Sequence, residues 1–141
     1  MSAALTFLGL AEKSGKLVIG EESCGIAARA KKAKLILSAA DAGRSSLVRA
    51  ENYSEAAKCP LVALPYSKAE LGSILGRGAP GMLAVTDAGM ASAFMKKLAA
   101  ERPGAYDEVS DALALKAEKA ALHRREKKNH LKNVRQGKKK T

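Results

Sequence analysis

Residues 8–41 constrain the fold more than any other part of the chain. They contain the end of a helix, a short strand at 17–19, a turn at Gly20, a second helix over 21–32 and a second strand at 35–37. Short strands and helices in such close succession predict a compact α/β unit, in which the helices cover a sheet. The turn at Gly20 also precedes a helix N-terminus, where backbone N–H groups favour a phosphate.

Apolar runs and helical patterns alternate along the following residues. The runs at 61–64 and 82–85, like the one at 35–37, are bounded by turn residues, which is typical of strands covered on both faces. Further helices are predicted over residues 45–58, over residues 68–75, and from a cap at Thr86 or Asp87 to the residues before Pro103. The sequence therefore predicts an α/β fold, a three-layer α/β/α sandwich with a four-stranded mixed sheet.

A break at Pro103-Gly104 divides the chain into two predicted parts. Residues 1–102 form the α/β domain, and residues 103–141 form a basic C-terminal extension. The extension begins with acidic residues and continues with lysines, a charge order that the helix dipole favours, so one more helix is expected. From about Lys127 onward the low-complexity sequence predicts disorder until a partner binds.

Positive charge is concentrated in this extension. Residues 1–115 carry 14 Lys and Arg against 12 Asp and Glu, whereas residues 116–141 carry 11 against 2. Basic segments bind phosphate backbones through counterion release, so this pattern is typical of a nucleic-acid-binding arm; a solubilising, disordered end is the alternative. Binding to a membrane surface is disfavoured because residues 124–140 include only Leu131 and Val134 as apolar anchors.

The sequence contains neither a membrane-spanning pattern nor the arrangement of groups that an enzyme needs. It has no apolar run of about 20 residues and no signal-peptide pattern, so we expect a cytoplasmic protein. Cys24, Cys59, His123 and His130 show no metal-ligand or redox spacing, and Ser14-Gly15-Lys16 lacks the Walker spacing. The position of Cys24 near a helix N-terminus favours a lowered thiol pKa, but no histidine of the domain is available as its base. We expect no catalysis, metal, cofactor or small-molecule substrate.

Short motifs recur in order at the joints of the predicted elements. They are Leu8-Gly9-Leu10-Ala11, Ser14-Gly15-Lys16-Leu17-Val18, Gly20-Glu21, Ala33-Lys34-Leu35-Ile36-Leu37, Ala39-Ala40-Asp41-Ala42, Glu70-Leu71-Gly72 and Ala84-Val85-Thr86-Asp87. Over about residues 4–100 this set resembles the L7Ae/L30e ribosomal protein family of kink-turn RNA binders. The resemblance implies the same sandwich fold and a structured RNA partner, ribosomal or otherwise non-coding, with the ribosome as one possibility.

The resemblance further implies that the turn at Gly20 reads RNA. The family pattern is Gly-x-Asn-Glu-x-x-Lys, and its side chains read guanine edges in a kinked helix. Here Gly20 is kept, Glu22 stands at the Asn position, Ser23 at the Glu position and Ile26 at the Lys position. Glu22 keeps an acceptor and Ser23 a hydroxyl, but the cation is missing and Glu21 adds a second carboxylate. Losing one charge-assisted contact costs about 1.5–3 kcal/mol, roughly ten- to a hundredfold in affinity.

Two further groups of residues are candidates for RNA contact. Arg29 and Lys32 are three apart on the predicted helix and present one basic edge, with an ordinary solvated helix face as the alternative. The loop 76–81 resembles the second RNA contact of the family. In it, the planar guanidinium of Arg77 can donate two hydrogen bonds to guanine or phosphate. Gly78 and Pro80 belong to a stretch whose backbone would approach RNA closely. The alternative is that this loop only reverses the direction of the chain.

The sequence therefore predicts an RNA-binding accessory protein of the ribosome or of RNA metabolism. The Gly20 turn and the loop 76–81 would dock kinked or structured RNA, and the basic extension would add nonspecific affinity. The alternative is a protein-interaction module of the same fold that has lost kink-turn recognition, which the replacement of the family lysine by Ile26 would fit.

Overall fold

The computed structural model describes residues 2–76 and 78–135, with side-chain surroundings through residue 129. The strands are β1 (Leu17–Ile19), β2 (Leu35–Ser38), β3 (Leu61–Ala63) and β4 (Met82–Val85). The helices are α1 (Ala3–Lys13), α2 (Glu21–Arg29), α3 (Arg44–Ala57), α4 (Lys68–Leu75), α5 (Ala88–Glu101) and α6 (Asp107–Arg135). Every strand and helix expected from the sequence is present. α2 ends three residues before its predicted end because Lys31 adopts a left-handed conformation at φ 57°.

The four strands form one mixed sheet in the order β1-β4-β2-β3. β2 and β3 are parallel, whereas β4 lies antiparallel to both β1 and β2, with Leu37 opposite Leu83 in register. Because side chains alternate between the faces of a strand, the two central strands send apolar residues to both sides. The mixed sheet predicted from the sequence is confirmed.

Helices cover both faces of the sheet. Leu35, Leu37 and Leu83 pack with α1, α4 and α5 in the larger core, and Phe94 of α5 is fully buried there. Ile36 and its β4 neighbours face the other side, where α2 and α3 form the second, smaller core. The three layers predicted for an α/β/α sandwich are therefore present.

α6 begins against the core and continues beyond the predicted limit of helical structure. The Tyr106 hydroxyl donates to the Ala63 carbonyl at 2.9 Å, and Leu113 is 2% exposed in the larger core. The disorder predicted from about Lys127 is wrong as far as Arg135, because residues 127–135 contain good helix formers and neither Gly nor Pro. Residues 136–141 lie outside the described part of the chain. The division of the chain at residue 102 stays a prediction, although the first turns of α6 pack on the core of the domain.

The strand directions give the sheet two different ends. β1, β2 and β3 all finish at one end, and β4 begins there. Since Gly20 follows β1 and Gly81 precedes β4, we name this the turn end. α2, α3 and α4 each follow a strand that finishes there, so these helices begin at the turn end and finish towards the opposite end.

Candidate nucleic-acid interface

The turn at Gly20 has a backbone conformation that favours glycine. Gly20 has φ 96° and ψ 157°, a region that side chains other than hydrogen strongly disfavour. Its N–H donates to the Met82 carbonyl at 2.9 Å, and its carbonyl accepts from the Cys24 N–H at 3.0 Å. The turn is therefore tied on one side to the start of β4 and on the other to the first turn of α2.

The end of the loop 76–81 lies beside this turn. The Gly81 carbonyl accepts from the Ala39 N–H at 3.0 Å, which joins the loop to the end of β2. A Cβ atom at Gly81 would lie 3.7 Å from the Ser46 hydroxyl and 3.6 Å from Cδ of Lys68, so the loop passes between the first turns of α3 and α4. Gly78 is exposed and Pro80 is half-buried.

The N-termini of α2, α3 and α4 lie at the turn end. α4 is closed by a capping box between Ser67 and Glu70, and the Lys68 N–H also donates to Asp41 Oδ1 at 2.8 Å. α2 and α3 begin instead at Gly20 and Gly43, and no described side chain caps either helix. Their first N–H groups and the positive ends of their dipoles therefore favour an anion such as phosphate.

Of the two carboxylates that directly follow Gly20, Glu21 is paired with a basic partner on α3. Hydrogen bonds from Ser46 and then from Arg49 hold the pKa of Glu21 below its usual value, against a small opposing effect of burial. The Arg49 Nη1–Glu21 Oε2 distance is 2.6 Å. Glu22 is exposed. The repulsion between carboxylates and RNA expected from the sequence is thus reduced at Glu21, and Glu22 remains an exposed acceptor.

Cys24 is a buried structural residue. It is fully buried on the side of α2 that faces the sheet, and burial raises the pKa of its thiol to about 12, with the charge of Glu21 as a smaller contribution in the same direction. The lowered thiol pKa expected from its position near a helix N-terminus is therefore wrong, because loss of solvation outweighs the effect of the helix dipole.

Ile26 lies on the exposed side of α2, beside an apolar groove. Its side chain is 58% exposed, and the groove, with a volume of about 390 Å³, is lined mainly by Val18, Ile26, Ala27 and Ala30. At the place where the family pattern has a cation, this chain therefore presents apolar surface. Ser23, Lys32 and Thr86 also line the groove.

The structure separates the predicted site residues into two groups. Gly20, Glu21, Glu22, Ser23 and Pro80 lie at the turn end, and Arg77 lies outside the described residues.

Arg29 and Lys32 lie towards the other end of α2. A helix rise of 1.5 Å per residue puts Arg29 about 13 Å beyond Gly20. After α2 the chain turns back, because Lys31 is left-handed and the Lys32 N–H donates to the Ala27 carbonyl at 2.9 Å. The Arg29 guanidinium also folds back along α2, because Nη1 lies 3.1 Å from the position of a Cβ at Gly25. Arg29 therefore lies away from the Gly20 turn, whereas Lys32 lines the same groove as Ser23.

Sequence reasoning missed the residues that α3 and α4 contribute. Arg49 and Ser46 bind Glu21, while Lys68 lies against Gly81. These side chains come from segments 25 or more residues away from Gly20, so periodicity within one segment carries no signal for them.

Neither a metal-binding cluster nor a membrane-spanning helix is found in the described part of the chain. Within residues 2–76 and 78–135 no cluster of His, Cys, Asp or Glu is arranged to hold a metal ion. Across the same part of the chain, no helix has the length and apolar character needed to cross a membrane.

Comparison with known proteins agrees with this architecture. A protein of unknown function from Bacillus halodurans has a similar structure, with a TM-score of 0.63 and 22% sequence identity; the match covers 70% of this chain and 98% of that one. At this identity the similarity shows the fold alone. A search of curated proteins found no match. The family model described as ribosomal protein L7Ae/L30e/S12e/Gadd45 matches residues 2–95, and members of this family are typically RNA-binding proteins. The chain therefore belongs to the ribosomal protein L7Ae/L30e/S12e/Gadd45 family.

Proposed function

We propose that this chain is a cytoplasmic RNA-binding accessory protein of the ribosome or of RNA metabolism, and that it docks kinked or structured RNA at the turn end. The observation that supports this most strongly is the hydrogen bond between the Gly20 N–H and the Met82 carbonyl. It holds two glycine-containing segments side by side, next to the uncapped N-termini of α2 and α3.

Each group at the turn end has a distinct role in this proposal. The first N–H groups of α2 and α3 bind phosphate, because they lack side-chain caps among the described residues. The Glu22 carboxylate accepts hydrogen bonds from a guanine edge, and the Ser23 hydroxyl donates or accepts. Arg49 keeps Glu21 from repelling the RNA backbone. Gly78 and Pro80 bring the loop backbone close to the RNA.

Ile26 is the position at which the proposed site lacks the cation of the family pattern. Without a cation at this position, the turn loses a charge-assisted contact of about 1.5–3 kcal/mol. Ile26→Lys restores the charge on an exposed side chain, so we expect it to raise affinity for a kink-turn RNA by about tenfold or more. Leu10→Lys is the matched control, because Leu10 is 54% exposed on α1, on the opposite face of the sheet.

The experiment is a calorimetric titration of the full chain with a generic kink-turn RNA and with an unkinked duplex. The proposal requires that the unmodified chain prefers the kinked RNA and that Ile26→Lys increases this preference more than Leu10→Lys does. Equal affinity of the unmodified chain for both RNAs would contradict kink recognition.

A second candidate function, a protein-interaction module, is favoured by the apolar groove beside Ile26. In that case the groove receives an apolar side chain of a protein partner, and Ile26→Lys weakens binding of the partner. RNA binding by the unmodified chain would then show no preference for the kink, so the same titration separates the two functions.

α6 contributes the nonspecific part of the proposed RNA binding. If the basic extension neutralises about 5–8 phosphates, a plot of log affinity against log salt has a slope of roughly −5 to −7. Replacing Arg124, Arg125, Lys127 and Lys128 by Gln keeps good helix formers and is expected to reduce the slope by about 3–4. An affinity that does not change with salt would exclude this contribution.

A further inference from the structure

We propose that the chain has a second RNA-binding surface at the end of the sheet opposite the turn end, and that this surface binds the phosphate backbone of double-helical RNA. It consists of six exposed lysines, which we name the lysine pole: Lys13, Lys16, Lys31, Lys32, Lys34 and Lys58. The inference goes beyond the proposed function because it does not depend on recognition of a kink.

Backbone hydrogen bonds gather three of these lysines around the end of β4. The Lys34 N–H donates to the Val85 carbonyl at 2.7 Å, and the Thr86 N–H donates to the Lys16 carbonyl at 2.9 Å. Lys32 and Thr86 line the same groove. Lys16 comes from the turn between α1 and β1, whereas Lys32 and Lys34 come from the turn between α2 and β2, and all three lie around the last residues of β4.

Contacts with the end of α3 extend the lysine pole. Lys31 Nζ donates to the Ala56 carbonyl at 3.5 Å, two residues before Lys58. Lys31 and Lys58 both have a left-handed backbone, with φ 57° and 55°, in the turns that follow α2 and α3. Lys13, in the last turn of α1, completes the pole next to Lys16.

The lysine pole contrasts with the turn end in charge. Glu12, Glu55 and Asp87 lie near the six lysines, and the Asp87 carboxylate already accepts from the Met90 N–H at 2.9 Å as the cap of α5. At the turn end acidic groups outnumber basic ones: Glu21, Glu22, Asp41, Glu70, Glu101, Asp107 and Glu108 against Arg44, Arg49, Lys68 and Arg102. Residues 1–115 carry nearly equal numbers of basic and acidic residues. The fold nevertheless brings six of the lysines together at one end of the sheet.

α6 joins the lysine pole to the basic part of the extension. Burial raises the pKa of the Cys59 thiol, and the charges of Lys116 and Lys34 act in the opposite direction, which places Lys116 near the start of β3. α6 starts at the turn end, where Tyr106 contacts Ala63, so it passes the lysine pole at about Lys116. The rest of the helix, through Arg135, continues about 28 Å farther.

The composition of the pole favours RNA over a membrane surface. The large apolar residues found exposed in the described chain are Leu10, Ile26, Val48, Leu115 and Leu122. Leu10 lies one helical turn before Lys13, and Ile26 lines the same groove as Lys32, but none of the five lies in the turns after α1, α2 and α3 that carry the other five lysines. Binding at a membrane surface needs apolar anchors among the cations, whereas binding to a phosphate backbone needs only cations.

The test compares two triple variants of the full chain that remove the same amount of charge. The pole variant carries Lys16→Gln, Lys34→Gln and Lys58→Gln. The control carries Lys96→Gln, Lys97→Gln and Arg102→Gln, all of which are exposed on α5 or at its C-terminal cap. Affinity for an unkinked RNA duplex is measured as a function of salt. We expect the pole variant to reduce the log–log slope by about 2–3 and the control to reduce it by less than about 0.5. Equal reductions in the two variants would overturn the proposal.

A second measurement locates the surface without mutation. Acetylation of lysines, read by mass spectrometry, is compared with and without the duplex. Protection of Lys16, Lys34 and Lys58 with unchanged reactivity of Lys96 and Lys97 supports the pole; uniform protection overturns it. The ratio of affinities for kinked and unkinked RNA tests the proposed function separately. If the chain shows no preference for kinked RNA but the pole variant still reduces the salt slope, the proposed function is refuted and the lysine pole is supported.

Discussion

Two glycines lie inside helices, Gly25 in α2 and Gly9 in α1. Replacing them by alanine is expected to change the free energy of unfolding in opposite directions. An alanine in a helix is favoured over glycine by about 1 kcal/mol because it restricts the unfolded chain. At Gly9 the new Cβ would lie 3.6 Å from the Ile74 carbonyl oxygen, an ordinary contact, so the full gain is expected.

At Gly25 the same methyl group meets α3. Its Cβ would lie 2.8 Å from the Tyr53 hydroxyl oxygen and 2.9 Å from Cζ, so the ring would have to move. Overpacking of this kind costs about 1–3 kcal/mol, which outweighs the helix gain and leaves a net loss of about 1 kcal/mol. The two variants should therefore differ by about 2 kcal/mol in free energy of unfolding.

Thermal unfolding of the two variants and of a Tyr53→Ala background tests this reasoning. Gly9→Ala is expected to raise Tm by about 3–4 °C and Gly25→Ala to lower it by a similar amount. In the Tyr53→Ala background, Gly25→Ala should become stabilising, because the tyrosine atoms are gone and the remaining neighbour, Arg29 Nη1 at 3.1 Å, is the end of an exposed, flexible side chain that can move. A Gly25→Ala variant that is as stable as Gly9→Ala in the unmodified chain would refute the argument.

Three further predictions concern the ends of the sheet. Gly20→Ala should lower the free energy of unfolding by about 1–3 kcal/mol in denaturant titrations, because alanine disfavours φ 96°. Ser38→Ala should be neutral or stabilise by up to about 1 kcal/mol in the same assay, because the buried Ser38 hydroxyl has no hydrogen-bond partner among the described residues. Burial acts to raise the pKa of Glu101, but hydrogen bonds from Ser2, the Ala4 N–H and Tyr66 outweigh it and lower the pKa. The stability that Glu101 contributes is therefore present above its unfolded-state pKa and is lost as pH falls through its folded-state pKa, so Glu101→Gln should flatten the acid side of a Tm–pH profile.

The fold was predictable from the sequence because its signals are local. Continuous apolar runs identify the strands at 35–37 and 82–85, and glycine and proline positions delimit the helices between them. The resemblance to the L7Ae/L30e family and the α/β/α sandwich are both confirmed. The length of α6 was underestimated because a run of charged residues reads as disorder, although Lys and Arg are good helix formers.

The arrangement of the site was less predictable because it depends on contacts between distant segments. The ion pair between Glu21 and Arg49 joins residues 28 apart, and its existence requires that α2 and α3 cover the same face of the sheet. The groove that Ser23 and Lys32 share likewise depends on the turn of the chain after α2, where the Lys32 N–H donates to the Ala27 carbonyl. The RNA contacts of the predicted site residues stay predictions.

The lysines of the pole also have a purely structural explanation, and the two explanations make different predictions. Lys13 and Lys58 lie at the C-termini of α1 and α3, where a cation interacts favourably with the helix dipole by about 0.3–1 kcal/mol. If this were their only role, Lys→Gln variants would lower Tm slightly and leave the salt dependence of RNA binding unchanged. Lys16→Arg, Lys34→Arg and Lys58→Arg together keep the charge, so in both cases they should preserve stability. Only an RNA-binding surface predicts that the arginine variant also keeps the full salt slope while the glutamine variant loses it. The salt dependence of RNA affinity and the Tm are therefore measured for both variants. Together they distinguish a nucleic-acid-binding surface from lysines that only stabilise helix C-termini.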